Sequence, residues 1–362
     1  MKVALVYDRV NKWGGAERVL LALHKIFPDA PLYTSLYDKS GAKWAKNFKV
    51  VPSFLQKGPF IKRSHEFLSP LMPIAFETHN FKSFDLVISI TSEASKGILV
   101  PPQTRHICIC LTPTRYLYTG FDEYFSNDYL KFISTPFIKY LKLWDKAASA
   151  RPDKYIAISK TVKNRIKNIY GRDSTLIYPP ISESFFSKEK DQDVPRIQHS
   201  IPDAGYYLVV SRLVSYKKID LAINAANKLK TPLVIIGEGR KKSYLQSIAG
   251  NTVTFEGFVT EEKLIQRYTN AKALIFPGNE DLGLTMIEAQ ACGTPVIAYR
   301  KGGATELIKE GVTGEFFEDQ TVDSLSGVME KFNPDKYNSD NCVKNAQRFN
   351  FDKFKEDLLE LI

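Results

Sequence analysis

Residues 273–299 read A-L-I-F-P-G-N-E-D-L-G-L-T-M-I-E-A-Q-A-C-G-T-P-V-I-A-Y, and this stretch decides the fold. It opens on a short apolar run, 273–276, that stops at Pro277-Gly278 as a buried parallel strand would. A polar loop follows, then a helix-compatible segment over 284–292, then Gly293-Thr294-Pro295 and a second apolar run. Strand, loop, helix, strand is the repeating unit of a doubly wound α/β sheet. Two carboxylates flank the loop, Glu280 inside it and Glu288 about one turn into the helix. Between them, Gly283, Leu284 and Thr285 would bring backbone N–H groups to a helix N-terminus, where an anion is stabilised. An anion cradle with a carboxylate on each side suits a ligand that is part phosphate and part polyhydroxyl. Spacing alone is equally consistent with an ordinary βα unit whose two glutamates meet nothing.

The string P-x-x-E-D-x-G-L-x-x-I-E-A-x-A-C-G-T-P-V-I-A-Y-x-x-G-G-x-x-E-L-I, residues 277–308, resembles the E-x7-E region of retaining GT-B glycosyltransferases of family 4, the glycosyl transferases group 1. The resemblance implies two Rossmann-like α/β domains facing across a cleft. It also implies that Glu280 faces the donor sugar and Glu288 holds the nucleotide ribose.

The same restart is visible upstream. A strand over 207–210 leads into S-R-L-V-S-Y-K-K, residues 211–218, and then a helix over 219–229. Arg212 and Lys217 stand five apart on a loop that opens onto a helix, where two cations can clamp a diphosphate or simply face water. The family's R-L-x-x-x-K phosphate-binding string has this spacing, which implies that Arg212 and Lys217 are pyrophosphate ligands. Residues 232–239 form a strand ending in a glycine turn at Gly237, and residues 253–259 another. There the resemblance implies that Phe258 and Val259 lie where relatives hold the base. The segment F-F-E-D-Q, 316–320, together with the 112–118 string below, tilts the implied donor towards GDP-mannose.

The first half begins with a strand over 3–7, a loop W-G-G-A-E at 13–17, and a helical pattern to Phe27. Gly14 and Gly15 permit close approach of a ligand to backbone, or a plain βα turn. The resemblance places them near the donor phosphates, with Glu17 a helix-start residue. Buried strands are expected at 84–90, 106–113 and 155–159, and Ser159 should cap a helix to Tyr170. T-P-T-R-Y-L-Y, 112–118, resembles the T-P-x-R-Y element of bacterial polysaccharide mannosyltransferases and implies an acceptor-side role for Thr112, Arg115 and Tyr116. Relatives often carry histidine just before Thr-Pro; this chain has Leu111, and His106 lies five residues too early to replace it.

Three segments depart from the βα rhythm. Residues 51–81 carry four prolines and little periodicity, an excursion on the acceptor side or a buried loop. Residues 128–172 hold eleven Lys or Arg against three Asp, with aromatics at helical spacing. Such a helix can lie on an anionic membrane, or its aromatics can face the core. Residues 182–204 read as a charged linker between domains at 1–181 and 205–345, and Asp191-x-Asp193 within it reads as solvated rather than metal-binding. A C-terminal amphipathic helix over 346–362 is implied to pack back onto the first domain.

Length and charge bound the rest. With 362 residues the chain exceeds the size at which a single core stops growing. A net charge of +10 favours anionic partners, and no nucleic-acid module accompanies it. Four cysteines make neither a disulfide framework nor a zinc spacing, which points to a reducing, cytoplasmic setting. No apolar run is long enough to span a membrane, so the expectation is a cytoplasmic protein, soluble or on the inner membrane face. The resemblance implies sugar transfer from a nucleotide-sugar donor to a glycan or lipid-linked oligosaccharide, with no metal or other cofactor. A sugar-nucleotide epimerase would need acid–base groups around the sugar, and the five histidines form no cluster. An idle scaffold would be expected to lose Arg212 or Glu288, and both are present.

Overall fold

The computed structural model describes residues 1–57, 69–119, 128–186 and 205–362, with the side chains of 128–133 outside that description. Outside it lie the middle of the proline-rich excursion, Tyr129 and Phe132 of the basic stretch, and Asp191-x-Asp193 with most of the expected linker.

The chain divides into two compact units, one of Met1–Pro180 with Lys355–Ile362, the other Ile181–Phe354. The first holds seven strands: β1 (Val3–Tyr7), β2 (Leu32–Thr34), β3 (Val50–Pro52), β4 (Leu86–Thr91), β5 (Arg105–Cys110), β6 (Lys154–Ala157) and β7 (Thr175–Leu176). They lie in the order β3-β2-β1-β4-β5-β6-β7, every pairing parallel. The second holds β8 (Tyr206–Val210), β9 (Leu233–Ile236), β10 (Val253–Gly257), β11 (Ala271–Phe276), β12 (Val296–Tyr299) and β13 (Gly314–Phe317). Their order, β10-β9-β8-β11-β12-β13, repeats the arrangement of the first unit, again all parallel. Each sheet is therefore Rossmann-like, with its order reversing between the first and fourth strands. Ligands of such sheets bind beyond the carboxyl ends of the strands at that reversal.

The apolar runs legible in the sequence are these strands. Strands covered by helices on both faces bury every side chain, so they read as continuous rather than alternating. β1 is buried at all five positions and β4 at all six. In the second unit Val209, Ile235, Ile275 and Ile297 pack with Leu221, Ala225 and Leu325 of the flanking helices. The short edge strands β2 and β3 have too few residues to show a pattern.

The tail differs from the continuous helix expected over 346–362. A helix over Ser339–Ala346 gives way to a 3-10 turn at Gln347–Phe349, and a new helix runs over Phe351–Leu361. The Asn350 side-chain oxygen accepts from the Lys353 N–H at 2.8 Å, so the chain restarts at an asparagine cap. Its end is fastened to the first unit: Arg105 donates to the carbonyl oxygens of Leu361 (2.8 Å) and Ile362.

Candidate functional site

At the order reversal of the second unit, the loops after β8 and β11 meet. The first carries Arg212 and Lys217, the second Glu280. Lys217 Nζ and the Glu280 carboxylate form an ion pair whose side chains are 14% and 19% exposed. The ammonium also stands 5.4 Å from the Tyr216 ring centroid and 5.9 Å from that of Phe276. Arg212 is exposed and donates to the Tyr216 hydroxyl at 2.6 Å. Ser211, Lys217, Pro277 and Gly278 line a small pocket between the strand ends.

Backbone geometry explains two of the glycines here. Gly237 follows β9 at φ +132, and a Cβ on it would lie 1.9 Å from the Ser211 carbonyl oxygen, so any other residue would force the two loops apart. Gly283 caps the helix Leu284–Ala291 at φ +93. Leu284 and Thr285 form the first turn of that helix, whose N–H groups have no intrahelical acceptor and can serve an anion.

The two glutamates of the E-x7-E string are in different circumstances. Glu280 is in the loop. Glu288 is 1% exposed within the helix and accepts a 2.9 Å hydrogen bond from the Tyr268 hydroxyl. Tyr268 is fully buried, and the Thr294 hydroxyl donates to its carbonyl oxygen at 2.5 Å. Neither Tyr268 nor Tyr216 carries a sequence signal of its own; each lies a helix or a half-loop away from the residue it holds. Phe258, just past β10, is 79% exposed, and Val259 beside it is half-buried. Phe316 and Phe317 of the F-F-E-D-Q segment are core residues on β13, so their aromatic faces are spent on packing, with Arg300 4.2 Å over Phe316. Gln320 of that segment does reach the loop after β11, donating to the Pro277 carbonyl at 2.8 Å.

The remaining expected residues lie in the first unit, at its own order reversal and the neighbouring strand end. Gly14 and Gly15 start the helix Gly15–Ile26 after β1. Glu17 is in the first turn of that helix, as the helix-start reading requires, but it is also 2% exposed and accepts from the Tyr7 hydroxyl at 2.8 Å. Burial and the Glu17 carboxylate push the Tyr7 phenol well above its ordinary range. Asp8, immediately after β1, accepts from the N–H groups of Ser92, Glu93, Ala94 and Ser95 at 2.7 to 2.9 Å. Arg9 pairs with Glu93 at 2.5 Å, and burial raises the Glu93 carboxyl against the pull of Arg9.

The T-P-x-R-Y element follows β5. The Thr112 hydroxyl accepts from Arg165 at 3.2 Å, and Arg115 and Tyr116 open a short helix, Arg115–Tyr118. Tyr116 is raised by burial and by the Glu93 charge. Thr114, Tyr118 and Tyr170 all donate to Asp145, which also forms a fully buried ion pair with Lys96. Burial works to lower the Lys96 ammonium, and the Asp145 carboxylate outweighs it and holds Lys96 above its ordinary range. His106 lies at the opposite end of β5, hydrogen-bonded to Ser89 at 2.8 Å and pushed down to about 3 by burial. It is a core residue and leaves the position of Leu111 unserved.

The basic stretch divides its aromatics. Trp144 faces inward, its indole N–H donating to Glu77 at 2.8 Å. Phe137, Tyr140 and Leu143 of the same helix, Asp128–Ala148, face out at 53%, 44% and 76% exposure, beside exposed Lys139, Lys142 and Lys146. Among the described residues no helix is long and apolar enough to cross a membrane, and no three His, Cys, Asp or Glu converge as metal ligands would.

Comparison with known proteins agrees with this architecture. Residues 191–349 match the family model for "Glycosyl transferases group 1". The chain is 28% identical over 219 residues to an uncharacterized glycosyltransferase of Methanocaldococcus jannaschii, covering 56% of each. It is 28% identical over 193 residues to the GDP-mannose-dependent alpha-(1-6)-phosphatidylinositol monomannoside mannosyltransferase of Mycolicibacterium smegmatis, covering 48% of this chain and 50% of that one. The chain thus spans about half the length of the curated relatives it matches. Among solved structures it is similar to Anabaena HepE in complex with UDP, at TM-score 0.69 and 19% identity over 100% of this chain and 99% of that one. It is also similar to sucrose-phosphate synthase of Thermosynechococcus elongatus, at TM-score 0.78 and 18% identity over 100% and 98%. Over residues 191–349 the chain is thus similar to the glycosyl transferases group 1 family, and its two Rossmann-like units have the GT-B fold.

Proposed function

We propose that this protein transfers a hexose from a nucleoside-diphosphate donor to a hydroxyl of a glycan, with retention at the anomeric carbon. The observation that carries the reading is the pair of cations, Arg212 and Lys217, on the loop beside the helix N-terminus at Gly283. Breaking the donor's C1–O bond leaves negative charge on the departing diphosphate. Cations and first-turn N–H groups fixed at that point stabilise it, the electrostatic contribution that usually dominates such catalysis. In this reading no metal cofactor is needed. Glu280 meets the sugar and Glu288, braced by Tyr268, accepts from the ribose hydroxyls. The acceptor hydroxyl attacks on the face the diphosphate leaves, and the departing phosphate takes its proton.

GDP-mannose is the donor we favour, on the T-P-x-R-Y element and on the donor named for the Mycolicibacterium relative. A UDP-sugar is the second reading, favoured by Leu111 and by the UDP held in the Anabaena structure. Thermal stabilisation by a panel of nucleotide sugars separates the two. Arg212→Ala and Lys217→Ala should each lower turnover by about 100-fold or more at saturating donor. If both retain near wild-type rates, the clamp is misassigned.

The acceptor in this proposal is lipid-linked at an anionic membrane on the cytoplasmic side. Outward Phe137, Tyr140 and Leu143 among Lys139, Lys142 and Lys146 fit a lipid surface, each lysine contributing about 1 kcal/mol near it. Anionic vesicles should sediment the protein at low salt and neutral vesicles should not. Changing the three lysines together to Glu should abolish the difference while sparing nucleotide binding; equal sedimentation with both vesicle types would refute the surface.

A further inference from the structure

The cation best placed to hold a phosphate is already engaged by one of the chain's own carboxylates. We propose that Glu280 is an internal stand-in for the donor's diphosphate: it occupies Lys217 until the diphosphate displaces it, and only then turns to the sugar. This inference rests on the reading of Arg212 and Lys217 as phosphate ligands.

Three observations support it. The Lys217–Glu280 pair is largely sheltered from water, and the ammonium is flanked by the rings of Tyr216 and Phe276. A cation in that position without a counter-charge would be poorly solvated, and the carboxylate offsets that cost while the site is empty. The backbone of Glu280 is also fixed from behind, since its carbonyl oxygen accepts from the Gly303 N–H at 2.8 Å. Exchange is then a side-chain rotation between two stationary loops. Arg212, by contrast, is exposed and donates to the Tyr216 hydroxyl at 2.6 Å, so an incoming diphosphate can reach it first.

The exchange has a consequence for selectivity. A diphosphate carries enough charge to take Lys217 from a carboxylate, whereas a free sugar does not. Glu280 therefore becomes available to sugar hydroxyls only when a phosphate has taken its place. The site would read the two halves of the donor in order, phosphate and then sugar.

The test is calorimetric titration of GDP and UDP, with guanosine and uridine as phosphate-free probes. Wild type is compared with Glu280→Gln, Lys217→Met and the double variant. Glu280→Gln should tighten nucleoside-diphosphate binding by about fivefold or more while leaving nucleoside binding unchanged, because a competitor for Lys217 has gone. In the Lys217→Met background the same substitution should change diphosphate affinity by less than about twofold. Asp281→Asn, which removes a neighbouring charge, should do less than Glu280→Gln and so separates displacement from general repulsion. Diphosphate binding that Glu280→Gln weakens or leaves unchanged would overturn the stand-in, as would a gain that persists without Lys217. Failure of wild type to bind either diphosphate at all would instead overturn the reading of the site on which it rests.

Discussion

The two units place similar chemistry at the same point of the same sheet and use it differently. In each, a cation after the first strand pairs with a glutamate after the fourth: Arg9 with Glu93, and Lys217 with Glu280. The residue directly after the first strand is where they part. In the first unit it is Asp8, which is 4% exposed and collects four backbone N–H groups of the loop after β4. That loop is organised as an anion site, and the chain fills it with its own carboxylate. In the second unit the corresponding residue is Ser211, neutral and lining the pocket beside Lys217. A Rossmann-like end can be closed as structure or left able to take a ligand, and here one carboxylate separates the two outcomes.

The largest effect should come from making the same change in both units. Lys96→Met breaks a fully buried pair and leaves the Asp145 carboxyl, among the described residues, with the hydroxyls of Thr114, Tyr118 and Tyr170. Losing one member of such a pair costs about 3–5 kcal/mol. Lys217→Met breaks a pair that is less deeply buried, its side chains 14% and 19% exposed, and should cost less stability than Lys96→Met while abolishing tight diphosphate binding. Urea unfolding followed on both variants reads the contrast directly. Equal destabilisation would mean that the second pair is structural too, and that the division between a closed and an open end is wrong.

How much of this was legible beforehand follows from what each feature depends on. β1, and the helices ending at Tyr170 and Leu229, were readable because burial on both faces and the 3.6-residue period are local properties of the chain. Arg212, Lys217, Glu280 and Glu288 stood out because the loops and helix of the second unit carry them as short strings at fixed offsets from a strand. The pairing of Lys217 with Glu280 was not, since 63 residues separate them and only the sheet order brings them together. The same holds for Asp8 with Ser92–Ser95 and for Lys96 with Asp145: a buried ion pair has no period and no neighbour in sequence. Trp144 and Phe137 show a further limit. Both sit on one basic, aromatic helix, yet one is fastened to Glu77 and the other faces out. Composition suggested both destinations and could not apportion them.

The comparison of Asp8 with Ser211 is sharpest when the difference is removed. Ser211→Asp would give the second unit the carboxylate that closes the first. Ser211 follows β8 directly, as Asp8 follows β1, and both first strands pair in parallel with the fourth strand of their sheet. A carboxylate there would face the loop after β11 and lie near Lys217, competing with any phosphate for both. Two like charges 4 Å apart repel by about 4 kcal/mol at the effective dielectric of a protein surface, and side-chain rotation into solvent relieves most of that. A loss of about tenfold in nucleoside-diphosphate affinity is therefore the expected size, with nucleoside affinity unchanged. The fold should tolerate the change, because Ser211 is half-buried and its N–H bond to the Ile236 carbonyl, 3.0 Å, does not involve the side chain. Ser211→Asn, which matches the shape without the charge, should bind diphosphate to within about twofold of wild type. If the asparagine variant lost as much affinity as the aspartate, crowding rather than charge would govern this position, and the view of Asp8 as a built-in anion would lose its counterpart.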